Sequence, residues 1–162
     1  MRPEASPLQI LDFAITELQF KFVPPQDIEE DVSGYFQKYQ VDIDFSVNKA
    51  EFLSVFIKAD INKEQKLPGY SLFAEAGCFF RFNEETNLPE ETKKSLADFS
   101  TIYIALNSLR GLISNFTANA PFGRYILPSI DLNDLIEKKK KTLMKTKKVK
   151  RSSTTGPKRK AR

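Results

Sequence analysis

Apolar and polar residues alternate most strictly from Val41 to Val47, where Val41, Ile43, Phe45 and Val47 interleave with Asp42, Asp44 and Ser46. A period of two belongs to a strand with one face buried and the other wet or paired with polar groups. The same period marks Ile15 to Val23, with Leu18, Phe20 and Phe22 set against Gln19 and Lys21, and Pro24-Pro25 ends it. Glu51 to Ile61 and Tyr70 to Phe82 read as two more strands, each apolar on both faces. In the first, Phe52 and Phe56 oppose Leu53, Val55 and Ile57; in the second, Leu72, Ala74, Ala76, Cys78, Phe80 and Phe82 oppose Phe73 and Phe79. Asn48-Lys49 and Pro68-Gly69 supply turns, and four strands joined by short turns favour an antiparallel sheet. Gln26 to Gln40, acidic and then aromatic, predicts a loop containing a helical turn.

Beyond the acidic stretch Asn83 to Glu91 the period changes to about 3.6. Phe99, Ile102, Tyr103, Leu106, Leu109, Ile113 and Phe116 form an apolar stripe on a helix expected over Ser95 to Asn119. Ile104 and Leu112 lie off that stripe, so the helix needs a second packing layer. In so short a chain another subunit has to provide it, which makes Phe99, Ile102, Tyr103, Leu106, Leu109 and Ile113 candidate interface residues. Pro121 to Ile130 is apolar for a linker, and a second helix is expected from Asp131, capped by its carboxylate, with Leu132, Leu135, Ile136 and Leu143 along one edge. Helical signal fades near Lys147, and Ser152 to Pro157 reads as disordered. The expected organisation is one domain over residues 1–147 followed by a disordered basic tail over 148–162.

Charge sharpens that division. The chain has 25 Lys+Arg and 21 Asp+Glu, a net +4. Lys138 to Arg162 hold 13 basic residues and no acidic one, which leaves a body of 12 basic against 21 acidic residues, a net of −9. Nucleic-acid binding by the folded body is therefore disfavoured, and any such contact belongs to the tail. All 14 Phe and 5 Tyr precede Lys138, so the tail has no aromatic platform for stacking bases and would bind nucleic acid or an anionic surface nonspecifically.

Composition removes most enzyme chemistries. Histidine is absent and Cys78 is the single cysteine, so Cys/His zinc sites and Ser-His or Cys-His nucleophile pairs cannot form within one chain. No Walker or dinucleotide fingerprint is present, and no cofactor is implied. Asp42 and Asp44 share a strand face, where acid/base chemistry or a divalent cation is conceivable, but a solvated face is the plainer reading. Cys78 reads as a small buried strand residue and Arg110 as a structural one. No signal peptide or apolar run of roughly 18 residues appears, and a cytoplasmic protein is expected. What remains is the aromatic load. One sheet with two helices hides one face, so leftover Phe surface implies oligomerisation, ligand capture or binding of extended apolar peptide.

Arg110 to Ile136, RGLISNFTANAPFGRYILPSIDLNDLI, resembles the carboxy-terminal half of the SecB family of bacterial export chaperones. The shared features are a helix with an arginine (Arg110), a small-residue break (Ala120), a Phe before an apolar crossover (Phe122), and a helix start at Ile130-Asp131-Leu132. Gly77-Cys78-Phe79-Phe80-Arg81-Phe82 is similar to the family's glycine-containing fourth strand. Gly123 departs from the pattern, which usually carries proline there. The basic tail departs too, since the family's acidic tail contributes to docking on the motor SecA.

The resemblance implies an α+β subunit: a four-stranded antiparallel sheet, a long helix and a shorter carboxy-terminal helix. Subunits would pair through their sheets and dimers through the long helices, giving a homotetramer. It implies an ATP-independent holdase for unfolded clients, either preproteins for export or one dedicated client such as an antitoxin. Phe45, Phe56, Phe80, Phe82, Phe122, Tyr125 and Leu127 are the expected groove-lining residues. The other class left open is a nucleic-acid or ribosome-associated protein working through the tail.

Overall fold

The computed structural model describes residues 4–27, 31–49, 52–83 and 87–152, with side chains to residue 145. Two compact units follow one another along the chain, Met1–Pro128 and Ser129–Arg162. The first is an α+β unit. Strands β1 (Leu8–Val23), β2 (Val41–Asn48), β3 (Leu53–Ile61) and β4 (Gly69–Phe82) form one sheet in the order β1-β4-β3-β2. Every neighbouring pair is antiparallel. Hairpin-connected β2, β3 and β4 leave β1 to lie beside β4, a Greek-key connection. A 3-10 helix, Val32–Lys38, bridges β1 and β2.

The alternation in β2 and β3 meets its expectation: Val41, Ile43, Phe45 and Val47 pair with Ile61, Ala59, Ile57 and Val55 on the covered face. β1 is longer than its alternation suggests. It starts at Leu8 rather than Ile15, because register shifts between Ile10 and Asp12 and between Ile15 and Glu17 break the period of two. Each extra residue turns the following side chains to the opposite face.

The helix also begins earlier than its apolar stripe. α1 (Glu90–Ser95) buries no residue, so nothing in its pattern announces it. A wide π turn, Leu96–Ser100, joins it to α2 (Thr101–Thr117). α2 packs across β3 and β4, where Ile102, Ala105, Leu106, Leu109 and Ile113 meet a floor that includes Ala59, Ala74, Ala76 and Cys78, all buried. Alanines in that floor admit the helix closely, and the result is dense packing of the kind found in protein interiors. The stripe thus serves its own sheet: Ile102, Leu106, Leu109 and Ile113 are buried, while Phe99 and Tyr103 are exposed.

In the second unit, α3 spans Leu132–Ser152. Asp131 caps it, its Oδ1 accepting from the backbone N–H of Asn133 at 2.9 Å and Asp134 at 3.2 Å. Lys138 pairs with Asp134 at 2.7 Å and Lys141 with Glu137 at 3.6 Å, both at i,i+4. Propensity and charge pairing carry the helix past Lys147, where the apolar period alone ends. Of the basic tail expected to be disordered over 148–162, residues 148–152 belong instead to α3, and the remainder lies outside the described residues.

Candidate polypeptide-binding groove

An aromatic cluster ties β1, the 3-10 helix, β4, the end of α2 and the segment that follows it. Phe20 of β1 lies 5.3 Å from Tyr70 and 5.6 Å from Phe116 between ring centroids. Phe22 stacks on Phe122 at 5.5 Å with 17° between planes. Beneath them Phe36 contacts Tyr39, Tyr70 and Tyr125. The 3-10 helix presents Phe36 and Tyr39 because Asp31 caps it, accepting from Ser33 N–H at 3.1 Å and Ser33 Oγ at 2.6 Å. Those bonds hold the Asp31 carboxyl below its usual range.

Hydrogen bonds fix the crossover, residues 121–128, over this cluster. Tyr70 Oη donates to Gly123 O at 3.0 Å and accepts from Phe122 N–H at 2.7 Å. Thr117 Oγ1 donates to Ile113 O at 2.9 Å and accepts from Tyr125 N–H at 2.9 Å. Arg110 grips the far end, Nε donating to Leu127 O at 3.0 Å and a terminal nitrogen to Pro128 O at 2.9 Å. Its other nitrogen donates to Asn107 Oδ1 at 2.6 Å. Tyr39 Oη, donating to Pro68 O and accepting from Tyr70 N–H, anchors the lower layer. Desolvation raises the phenols of Tyr39, Tyr70 and Tyr125, so all three stay neutral at physiological pH and the first two remain donors.

Beside the crossover the covered side of the sheet lies open. Pairing with Phe80, Cys78, Ala76, Ala74, Leu72 and Tyr70 places Ile10, Phe13, Ile15, Leu18, Phe20 and Phe22 on the helix-facing side of β1. α2 crosses β3 and β4 rather than β1. Ile10 is consequently 47% exposed, Ile15 50%, Phe20 37% and Phe22 41%. The result is an open apolar face on β1, edged at its Phe20–Phe22 end by Phe116 and Phe122.

The seven groove residues expected from sequence occupy three different environments. Phe45, Phe80, Tyr125 and Leu127 are buried within the chain, so they support the groove from beneath rather than offering surface to it. Phe122 stands on its rim and Phe82 is half-buried beside Leu8 at the opposite end of β1. Phe56 projects from the other sheet face, where its ring covers Gly77 and meets Phe79 edge-on at 6.1 Å. Sequence reasoning passed over Phe20, Phe22 and Phe116; the alternation at Leu18, Phe20 and Phe22 was the available signal.

Asp42 and Asp44 lie on that other face, Asp42 across from Asp60 and Asp44 across from Lys58. Among the described residues no group of three potential metal ligands comes together. Cys78 is fully buried, and desolvation pushes its thiol up to about 11, which leaves it an inert core residue. No helix among the described residues is long and apolar enough to cross a membrane.

No protein-family model matches this chain, and no curated protein matches its sequence. Among solved structures it is similar to the Mycobacterium tuberculosis Rv1957 SecB-like chaperone, determined in complex with a ChAD peptide from the Rv1956 HigA1 antitoxin. The match has a TM-score of 0.51 over 77% of this chain and 88% of that one, at 13% identity. The fold is SecB-like. A protein of unknown function from Streptococcus agalactiae also aligns, over 78% of this chain and all of that one, with 12% identity and a TM-score of 0.32, too loose a superposition to carry an argument. Within this SecB-like fold the departure at Gly123 has a structural basis. Gly123 has φ +78 and its N–H donates to Ala120 O at 2.8 Å, a conformation and a bond that proline cannot provide. The crossover is held by these bonds rather than loosened by the glycine.

Proposed function

We propose that this protein is an ATP-independent holdase chaperone that binds unfolded polypeptide in the groove between β1 and the crossover. The observation that carries the reading is the open apolar face of β1, with Ile10, Ile15, Phe20 and Phe22 all more than a third exposed beside a hydrogen-bonded wall. Burial at roughly 25 cal/mol per Å² lets a few such contacts retain an extended client while each remains exchangeable. Folded proteins offer little exposed apolar chain to bind there. The groove is formed by Phe20, Phe22, Phe116 and Phe122 above a support of Phe45, Phe80, Tyr125 and Leu127, with Phe56 and Phe82 extending the client path at the sheet's other surfaces.

Two client classes fit, preproteins for export and a single dedicated client. That the similar Rv1957 chaperone was solved with an antitoxin peptide favours the dedicated client, and the basic character of Lys138 to Arg162 gives no support to a contact with SecA. Assembly into a homotetramer in the cytoplasm belongs to the same reading. The exposed Phe99 and Tyr103 face a second copy across the helices, and β1 pairs sheets.

The test is aggregation of a chemically denatured client, followed by light scattering with and without the protein. The wild type should suppress scattering and bind the unfolded client more tightly than its folded form. Phe22→Ser combined with Ile15→Ser should lose most of that suppression while retaining the native circular dichroism spectrum. Undiminished suppression by this variant, or none by the wild type, would refute the reading.

A further inference from the structure

We infer that α3 is a sequence-independent contact for duplex DNA, lying along the major groove and neutralising backbone phosphates. The inference stands apart from the chaperone reading. Its basis is charge, helicity and the kind of surface that the segment lacks.

After Glu137 no acidic residue occurs in the chain. Lys138 and Lys141 are paired with Asp134 and Glu137 one turn earlier, and Glu137 is the last carboxylate side chain in the sequence. Lys145, Lys147, Lys148, Lys150 and Arg151 follow within the helix, with no carboxylate three or four positions away on either side. Lys158, Arg159, Lys160 and Arg162 come after the helix. A body of net −9 is repelled by a polyanion, which confines the contact to this segment.

Four polyanionic surfaces compete for such a helix, and the sequence separates them. A lipid surface requires an apolar face that enters the headgroup boundary, ordinarily with Trp, Phe or Leu. Ile136, on the apolar edge of α3, is already buried, and beyond it the large apolar residues are Leu143, Met144 and Val149, no two of them three or four positions apart. Single-stranded nucleic acid requires aromatic stacking partners, and none lies beyond Tyr125. A-form RNA has a deep, narrow major groove, which does not offer a helix the wide channel it would lie along. The B-form major groove, about 12 Å wide, admits a helix of about 10–12 Å diameter. Lysine predominates over arginine here, which suits phosphate neutralisation rather than bidentate reading of guanine.

The experiment measures fluorescence anisotropy of a labelled mixed-sequence 20-base-pair DNA duplex titrated with the full-length protein across a salt series. If the five basic residues of the helix each neutralise one phosphate, their share of the affinity falls about 500-fold between 50 and 200 mM salt. Lys145→Gln, Lys147→Gln, Lys148→Gln, Lys150→Gln and Arg151→Gln together keep helix propensity, and should lower affinity at least tenfold and flatten the salt dependence. Thr146→Pro keeps every charge but breaks the helix, and should also weaken binding about tenfold. An RNA duplex of the same sequence and vesicles of phosphatidylcholine with 30% phosphatidylserine should each bind at least tenfold more weakly than DNA.

Equal or tighter binding to the RNA or the vesicles would overturn the inference. So would wild-type affinity in the five-fold variant. Unchanged affinity in Thr146→Pro would show a flexible polycation in place of a docked helix, and would overturn it as well.

Discussion

Tyr125 is 1% exposed, and its hydroxyl is buried without a hydrogen-bond partner among the described residues, although its ring is packed against Phe36 and Tyr39. An unsatisfied buried hydroxyl costs about 1–3 kcal/mol, whereas the ring repays its burial in full. Tyr125→Phe is therefore expected to stabilise the fold by roughly 1 kcal/mol in urea unfolding; destabilisation would show that the hydroxyl has a partner. Gly69 has the opposite character. It has φ +112, and a β carbon there would overlap Tyr39 Oη and crowd Val32 Cγ1. Displacing Tyr39 Oη breaks its bonds to Pro68 O and Tyr70 N–H together. Gly69→Ala should cost about 3 kcal/mol, from left-handed backbone strain plus two lost buried hydrogen bonds, read as a lower denaturation midpoint with an unchanged slope.

At the scale of elements the crossover is a strap, fastened by Tyr70, Thr117 and Arg110 at three places along its length. Its turn depends on Gly123, where a β carbon would meet open space but φ is +78. Gly123→Ala should thus cost only the backbone strain, about 1 kcal/mol, and Gly123→Pro about 3 kcal/mol or more because the bond to Ala120 O is lost and φ is forced negative. Hydrogen exchange at Phe122 and Tyr125, whose amides bond to Tyr70 Oη and Thr117 Oγ1, would report the difference. Equal exchange in both variants would mean that the strap does not depend on this turn.

The legibility of these elements followed their physics. β2, β3, β4 and α2 were readable because one unbroken period ran through each. The first half of β1 was hidden by two bulges that reset its period, and α1 by having nothing to bury. The 3-10 helix was foreseen only as a helical turn, because its role lies in where Phe36 and Tyr39 land, and that depends on contacts distant in sequence. Groove residues were the least legible. Apolar character selects Phe80 and Phe22 equally, and only the position of α2 over β3 and β4, away from β1, decides which of them remains in contact with solvent.

For the whole molecule, the exposed Phe99 and Tyr103 of the helical segment are the surface that the proposed assembly would bury, which leaves the apolar face of β1 to the client. The proposed tetramer needs a second contact, and the edge of β1, an outermost strand of the sheet, is the expected one. The wild type should sediment near four times 18.5 kDa. Tyr103→Glu, at a position 59% exposed, should halve that mass without unfolding the chain. Four tails of +13 repel one another within such an assembly. Salt screens that repulsion over about 10 Å at 0.1 M while strengthening apolar contact, so assembly should tighten as salt rises. DNA binding through α3 should weaken over the same range, and a mass that falls with salt, or a wild-type monomer at micromolar concentration, would mean that neither face pairs copies of this chain.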